Sequence, residues 1–246
     1  MMDKLAAKSA LELFCSYPLG SVDAVFDKFR ELPGAICHFD GYKENFIYIP
    51  GKRADRVLLV AHVDTVWDEL YVERRCDQQL VERNGVYSGK NRRFGIGADD
   101  RAGCAILWML RESGHSLLLV DGEEYGQIGS YHIKERYTEI FDQLNSHSYM
   151  IQFDRRENRN YKVYNLPVSE EFIGFIESET GYCNAGKNSS TDIVVLCRDI
   201  CGVNLSIGYY NEHTSNEKVI FDEWYATLEL ADRILSKEQR RYKLEK

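Results

Sequence analysis

Proline is scarce in this chain, with four among 246 residues, at Pro18, Pro33, Pro50 and Pro167. No stretch rich in proline, glycine or serine marks a linker, no segment repeats, and none is of low complexity. One domain spanning 1–246 is therefore the simplest organisation, and the length suits one large core. Positive charge is not in excess either: 31 Lys and Arg face 39 Asp and Glu, for a formal net charge of −8. That argues against a general nucleic-acid surface. No apolar run approaches the length of a membrane span, and the opening MMDKLAAKSALELF lacks the apolar centre of a secretory leader. Paired cysteines are missing too. Cys15, Cys37, Cys76, Cys104, Cys183, Cys197 and Cys201 are odd in number, scattered, and contain no Cys-x-x-Cys, which reads as free thiols in a reducing compartment. A soluble, cytoplasmic protein is expected. Cys197 and Cys201 lie four apart on an expected helix, but no second pair completes a zinc knuckle.

What the chain does have is a 44% hydrophobic and 12% aromatic content, enough for a well-filled core. Helical spacing is expected over Asp3 to Cys15, stopped by Pro18 and Gly20, and again over Val22 to Leu32 with Ser21 as its cap. Short strands follow at Ala35 to Phe39 and Asn45 to Ile49, then a buried one at Arg56 to Ala61, where Val57-Leu58-Leu59-Val60 is apolar throughout. Thr65 to Gly97 reads as a polar loop with short strands such as Gln79 to Glu82. A helix from about Arg101, a strand at Ser116 to Val120, a long helix over Ser130 to Leu144 and a strand at Tyr149 to Phe153 come next. A polar loop at Arg155 to Asn160, helices at Ser169 to Glu177 and Thr191 to Arg198, and a strand at Val203 to Ile207 follow. After a loop at Gly208 to Asn216, the chain closes with a helix from Glu217 to Leu235, and the charged tail 236–246 is expected to fray. Strands alternating with helices predict a three-layer αβα fold, with a mostly parallel sheet and helices on both faces.

Acidic and imidazole groups gather where those strands should end, and that is where open α/β sheets build sites. His62-Val63-Asp64 follows the buried strand. Gly95-Ile96-Gly97-Ala98-Asp99-Asp100-Arg101-Ala102-Gly103 turns from a glycine-rich loop into a helix. Asp121-Gly122-Glu123-Glu124 ends the next strand, Asp154 ends another, and Glu212-His213 lies in the loop that follows the strand Val203 to Ile207. Two imidazoles and several carboxylates suit two divalent ions, zinc first, with manganese or cobalt as alternatives. One carboxylate would bridge the ions and another, not a ligand, would act as base. Taken singly, each has a plainer reading: a satisfied core histidine, an aspartate capping a helix, a solvated pair of glutamates.

The segments AHVDTV, GADDRAG, DGEEYGQIGS and HTSNE, in this order, resemble the zinc-dependent exopeptidase superfamily of aminopeptidases, peptidase T and the related acylamino-acid deacylases and carboxypeptidases. Ser189 to Ile193 sits where that superfamily has a small-residue–Asp motif. The resemblance implies a dinuclear site. His62 and Asp154 would be terminal ligands of one metal, Glu124 and His213 those of the other, and Asp99 would bridge them. The Asp99–Asp100 bond resembles one that is often cis. Asp64 would orient His62, and Glu123 would be the general base, with a bend at Gly122 letting it diverge from Glu124. The activity implied is hydrolysis of peptide or amide bonds, foremost by an aminopeptidase acting on short peptides. A deacylase of N-acyl amino acids or small amides, and a silent binding domain that keeps the fold, are the alternatives. No second, inserted domain is expected, because expected elements fill the stretch between Asp154 and His213. Oligomeric state is left open.

Other residues read closer to structure. Asp192 is expected as a helix cap or hydrogen-bonding group, and Asp100 and Glu217 as supports. Arg155 and Arg156, which follow a ligand position, read as a solvated loop, with contact to a substrate carboxylate as the other possibility. Tyr182, Tyr209 and Tyr210 are candidates for an oxyanion-stabilising hydroxyl. His38, His115, His132 and His147 are expected to be ordinary.

Overall fold

A computed structural model describes residues 2–20, 22–68 and 78–245. The expected cap Ser21, the thiol of Cys76 and part of the loop after Thr65 lie outside these. The chain begins with α1 (Lys4–Ser16), capped by the Asp3 carboxylate on the Leu5 and Ala6 N–H groups, and α2 (Val22–Arg30). Then come β1 (Ile36–His38), β2 (Phe46–Ile49), β3 (Leu58–His62), β4 (Leu80–Arg83), β5 (Val86–Gly89), α3 (Ala98–Leu110) and β6 (Ser116–Val120). A single 3-10 turn at Glu123–Tyr125 precedes α4 (Ile128–Arg136), α5 (Thr138–Leu144), β7 (Met150–Arg155) and β8 (Asn160–Lys162). The rest is α6 (Glu170–Thr180), β9 (Cys183–Asn184), α7 (Asp192–Leu196), β10 (Gly202–Ser206), β11 (Tyr209–Tyr210), β12 (Lys218–Ile220) and α8 (Phe221–Leu235).

An eight-stranded sheet runs in the order β1-β2-β6-β3-β7-β10-β8-β9. Its centre, β6-β3-β7-β10, is parallel, while β1, β2 and β8 pair antiparallel to their inner neighbours. Side chains alternate across the strands. On β3, Leu59 and Ala61 enter one core with residues of α1, α2, α3, α6 and α8, whereas Leu58 and Val60 enter a second core with α4, α5 and α7. The three-layer αβα architecture expected from the alternation of elements is the one found. A strand covered on both faces buries the side chains of each, which is why β3 reads as a continuous aliphatic run up to His62. Among the described residues no helix is long and apolar enough to cross a membrane.

Several local expectations are corrected by tertiary contacts. The single helix over Ser130 to Leu144 is two helices. They meet at Tyr137 (φ −116°, ψ 58°), whose hydroxyl donates to Asp40 and whose ring packs on Phe46 and His38. The closing helix starts at Phe221 rather than Glu217, because Lys218–Ile220 pairs with β5 in a four-stranded antiparallel sheet β11-β12-β5-β4. That sheet takes Tyr209–Tyr210 from a stretch read as a loop and Lys218–Ile220 from the expected start of the helix, while β4 covers the short strand expected at Gln79 to Glu82. The polar segment 155–160 is a loop as expected, with Arg155 ending β7 and Asn160 beginning β8. The helix at α7 ends at Leu196, so Cys201 is not on it. The tail is not frayed over 236–245. Tyr242 is 8% exposed, with its ring against Tyr149, Phe172 and Phe175, and Gln239 accepts from the Tyr149 hydroxyl at 2.6 Å. Burying an aromatic ring outweighs the solvation of the charges around it. All six described cysteines are free thiols.

Two histidines are built into the sheet's supports. His115 Nδ1 accepts from the Val57 N–H at 2.9 Å, and its Nε2–H reaches the Leu235 carbonyl at 2.9 Å. His147 donates from Nδ1 to the Gln143 and Leu144 carbonyls, and its Nε2 lies 2.7 Å from the Ser116 hydroxyl. Burial, with Arg56 nearby, pushes the His147 pKa down to about 4. An unfolded histidine titrates near about 6.5, so the unfolded chain takes up the proton first. The contribution to stability is complete above about pH 6.5 and is lost as the pH falls toward 4. Urea unfolding should show a loss of about 3 kcal/mol from this group across that window. His147→Gln should flatten the slope; an unchanged slope would contradict the assignment.

Candidate metal centre

His62 is the last residue of β3, and β3 lies where chain order reverses: β6 pairs with one of its edges and β7 with the other. The loops leaving these strands diverge there and open a crevice. Into it come Glu123 and Glu124 from the turn after β6, Asp154 from the end of β7, Asp99 from the start of α3, and His213 from the loop between β11 and β12.

The five residues proposed as ligands meet in one cluster. His62 Nε2 lies 3.0 Å from Asp99 Oδ1 and 3.4 Å from Asp154 Oδ1. His213 Nε2 lies 3.3 Å from Asp99 Oδ2 and 3.0 Å from Glu124. The two oxygens of Asp99 thus face two imidazoles, each accompanied by one further carboxylate. His62, Asp99 and Glu124 place ligand atoms within 4.8 Å of one another, as do His62, Asp100 and Asp154. Asp100, however, is already engaged: its Oδ2 accepts from the His62 N–H at 3.2 Å and its Oδ1 from the Gly103 N–H at 3.0 Å. It fastens β3 to the first turn of α3. The Asp99–Asp100 peptide bond is cis.

Support comes from behind. His62 Nδ1 faces Asp64, 3.1 Å from its carbonyl and 3.3 Å from its carboxylate, which leaves Nε2 free toward the cluster. The same Asp64 carboxylate accepts the N–H groups of Glu123 and Glu124, each at 3.2 Å. Gly122, at φ 78°, turns the chain so that the two glutamates leave it in different directions; a Cβ there would come 2.6 Å from the Lys43 carbonyl. Lys43 is a buried cation set 2.6 Å from Asp68 and 3.6 Å from Asp121. Glu217 accepts from Ile96, Gly97 and Asp99 N–H at 2.7, 2.8 and 3.1 Å and so shapes the loop that presents Asp99. Gly95 is glycine because a Cβ would come 2.1 Å from Glu217 Oε2. Asp154 is held by the Thr191 hydroxyl at 2.8 Å and Gln152 Nε2 at 3.1 Å.

Burial governs the electrostatics. It lifts the Asp154 carboxyl, with help from Asp99, to about 7, and it raises Glu123 well above the usual glutamate range and Glu124 above its own. Burial also opposes the Asp99 anion and the protonated His62. The imidazoles nevertheless hold Asp99 below the usual carboxylate range, and Asp154, Asp64 and Asp99 raise His62 well above its own. His213, bonded to Asp99 and Glu124, is raised to about 11. So many carboxylates packed round two imidazoles draw in positive charge, and a divalent cation meets that demand in place of protons. The donor set, two imidazole nitrogens and carboxylate oxygens, fits borderline-hard divalent ions.

Of the residues weighed as supports, Asp192 is buried and accepts from Ser130 Oγ at 2.7 Å and Gln152 Nε2 at 3.2 Å, while Thr191 takes the N-cap position of α7. Tyr182 is turned to Thr227 and Tyr210 to Glu223, so among the three tyrosines only Tyr209 enters the site, its hydroxyl 3.4 Å from Asp154. Lys162, Tyr164 and the loop at Asn188–Thr191 also line the cavity, of about 300 Å³. Their sequence carried no signal beyond the segment ending in Thr191 and Asp192, because only the pairing of β8 with β10 brings them alongside Asp154. His38, His115, His132 and His147 lie elsewhere.

No model of a known protein family matches the chain, and no curated protein matches it by sequence. Solved structures do match, and they show the fold: the scaffold is shared with structures of aminopeptidases. The tripeptidase SAV1512 of Staphylococcus aureus superposes with a TM-score of 0.68 at 11% identity, over 96% of this chain and 98% of that one. The aminopeptidase PepT of Bacillus cereus gives 0.65 at 14% identity over 96% and 98%. The LapA aminopeptidase of Legionella pneumophila gives 0.63 at 14% identity over 97% of this chain and 73% of that one. The fold implied by the motif resemblance is therefore the fold present.

Proposed function

We propose that this protein is a dinuclear, zinc-dependent exopeptidase, an aminopeptidase that hydrolyses short peptides. One observation carries the reading: the Asp99 carboxylate faces both His62 and His213, 3.0 and 3.3 Å away, with Asp154 on one side and Glu124 on the other. His62, Asp154 and Asp99 would hold one ion, and His213, Glu124 and Asp99 the other. Bound there, the ions would polarise the scissile carbonyl and acidify the attacking water.

Glu123 lines the cavity without a histidine partner and, unlike Glu212, which pairs with Arg156, without an ion-pair partner among the described residues; Gln127 Nε2 donates to its Oε1 at 3.3 Å. Burial and the charges of Asp154, Asp192 and Asp99 raise its proton affinity, offset in part by His62. A group so placed takes the proton of the attacking water and returns it to the leaving nitrogen. Asp64 keeps the His62 ring oriented and holds the Glu123–Glu124 turn by its two backbone bonds. The Tyr209 hydroxyl stands beside Asp154, a donor at the cavity wall.

The deciding measurement is metal content by elemental analysis after purification without chelator. The wild type should carry about two zinc ions per chain, as two-metal sites do, and Asp99→Ala should lose both while keeping its fold. Absence of metal even after reconstitution would overturn the reading.

A further inference from the structure

Lys43 is a buried cation to which the proposed hydrolysis gives no task. It is 5% exposed and sits between β1 and β2, third in the turn Gly41–Glu44, whose Glu44 N–H reaches the Gly41 carbonyl at 3.4 Å. Its φ is 63°. That value disfavours any residue with a Cβ, and glycine or asparagine ordinarily fills such a place. What offsets the strain is what the side chain reaches.

It reaches two loops at once. On one side Nζ donates to Asp68 Oδ2 at 2.6 Å, and Asp68 Oδ1 accepts from the Thr65 N–H and hydroxyl at 3.3 and 3.0 Å. These bonds close the loop that leaves His62. On the other side Nζ lies 3.6 Å from Asp121 Oδ1 and 4.6 Å from the centre of the Tyr125 ring. Asp121 and Tyr125 flank Gly122, Glu123 and Glu124, and a Cβ on Gly122 would come 2.6 Å from the Lys43 carbonyl and 2.9 Å from its Cβ. The turn that carries both glutamates therefore rests on Lys43 at three points.

Charge adds to the contacts. Asp121 is 2% exposed; its Oδ2 accepts from Asn45 Nδ2 at 3.0 Å, while its Oδ1 accepts no hydrogen bond. Among the described residues Lys43 is the cation within 4 Å of it. Arg101, buried on α3, shares the charges of Asp64 and Asp68. Burial opposes the ammonium, but Asp64, Asp68 and Asp121 outweigh it and hold Lys43 above the ordinary lysine range.

We propose that Lys43 is a positioning residue for the metal centre: it clamps the Asp121–Tyr125 turn to the loop after His62 and so sets Glu124 as a ligand and Glu123 as the base. This rests on reading the acidic cluster as the hydrolytic centre. Without the ammonium, Asp121 faces the carboxylates of Asp64 and Asp68 with no cation beside it, and repulsion moves the turn. Glu124 moves with it, whereas His62 and Asp154 stay on β3 and β7.

Zinc retention separates positioning from folding. Zinc-reconstituted protein is dialysed against graded chelator and its metal counted, with urea unfolding measured beside it. Wild type should hold about two ions. Lys43→Met should release the ion of Glu124 and His213 at about tenfold lower chelator or less, the usual cost of losing a partner behind a ligand, and should keep the other ion as wild type does. His213→Ala, which removes a ligand of the released ion, identifies the step. In turnover of a short peptide kcat should fall by a similar factor with KM within about twofold. Asp121→Asn keeps the side chain's shape and should release the same ion, so it decides the matter where Lys43→Met does not fold. The double variant should hold that ion no worse than Lys43→Met, because both changes break one clamp. Wild-type retention of both ions in the folded variants, or equal loss from both sites, overturns the positioning role and leaves the hydrolytic reading standing. A wild type that takes up no zinc overturns that reading, and the positioning role with it.

Discussion

Glu123→Gln should keep its full metal complement and lose about 10²–10⁴ in kcat, the range that a positioned general base supplies. The substitution preserves shape and removes only the ability to take a proton. The backbone N–H of Glu123 would still be held by Asp64, so the turn that presents Glu124 survives. No imidazole lies against the Glu123 carboxylate as one does against Asp99, Asp154 and Glu124. Metal analysis beside kcat therefore distinguishes the two roles: Asp99→Ala should fail at the first measurement and Glu123→Gln only at the second. Turnover within a few fold of wild type in Glu123→Gln would remove Glu123 from the mechanism, and loss of metal would make it a ligand.

Glu217→Ala carries the largest expected effect on stability. Glu217 is 1% exposed and accepts three backbone N–H groups, from Ile96, Gly97 and Asp99. Each buried donor left without a partner costs about 1–3 kcal/mol, so the variant should unfold at least about 3 kcal/mol more easily in urea. The loop it shapes delivers Asp99, so the surviving folded protein should also hold metal less tightly. Glu217→Gln keeps one acceptor oxygen and should fall between the two. A stability within about 1 kcal/mol of wild type would mean that water replaces the carboxylate at all three donors.

Much of the site was legible because ligand chemistry and strand ends coincide along the chain. His62, Asp99, Glu124, Asp154 and His213 each follow a strand or precede a helix at a spot where the apolar pattern breaks. Glu217 and Asp100 could be suspected but not given tasks, since their work is to bond particular N–H groups distant in sequence. Lys43 and Lys162 were invisible for the same reason. A lysine in a polar stretch is ordinary, and what sets these two apart is burial and the company of Asp68 and Asp121 in one case, of neutral oxygens in the other. The tyrosines show the point in miniature. Tyr209 and Tyr210 are adjacent, yet alternation along β11 sends one hydroxyl to Asp154 and the other to Glu223.

By itself the sequence determined the alternation of the main strands and helices, the parallel aliphatic centre of the sheet and the five ligand-type residues that converge at its end. These follow from local chemistry: side-chain periodicity, the burial of Val57 to Val60 on both faces, and acids and imidazoles where such strands stop. Only the tertiary structure decided the second, antiparallel sheet, the break at Tyr137, the packed tail and the ion pairs of Lys43. Each depends on a contact between residues far apart in the chain: Lys218 with Ser88, Tyr137 with Asp40, Tyr242 with Tyr149, Lys43 with Asp121. The free energy that overrides local preference at those places comes from burial and hydrogen bonds that exist only once the chain has closed on itself.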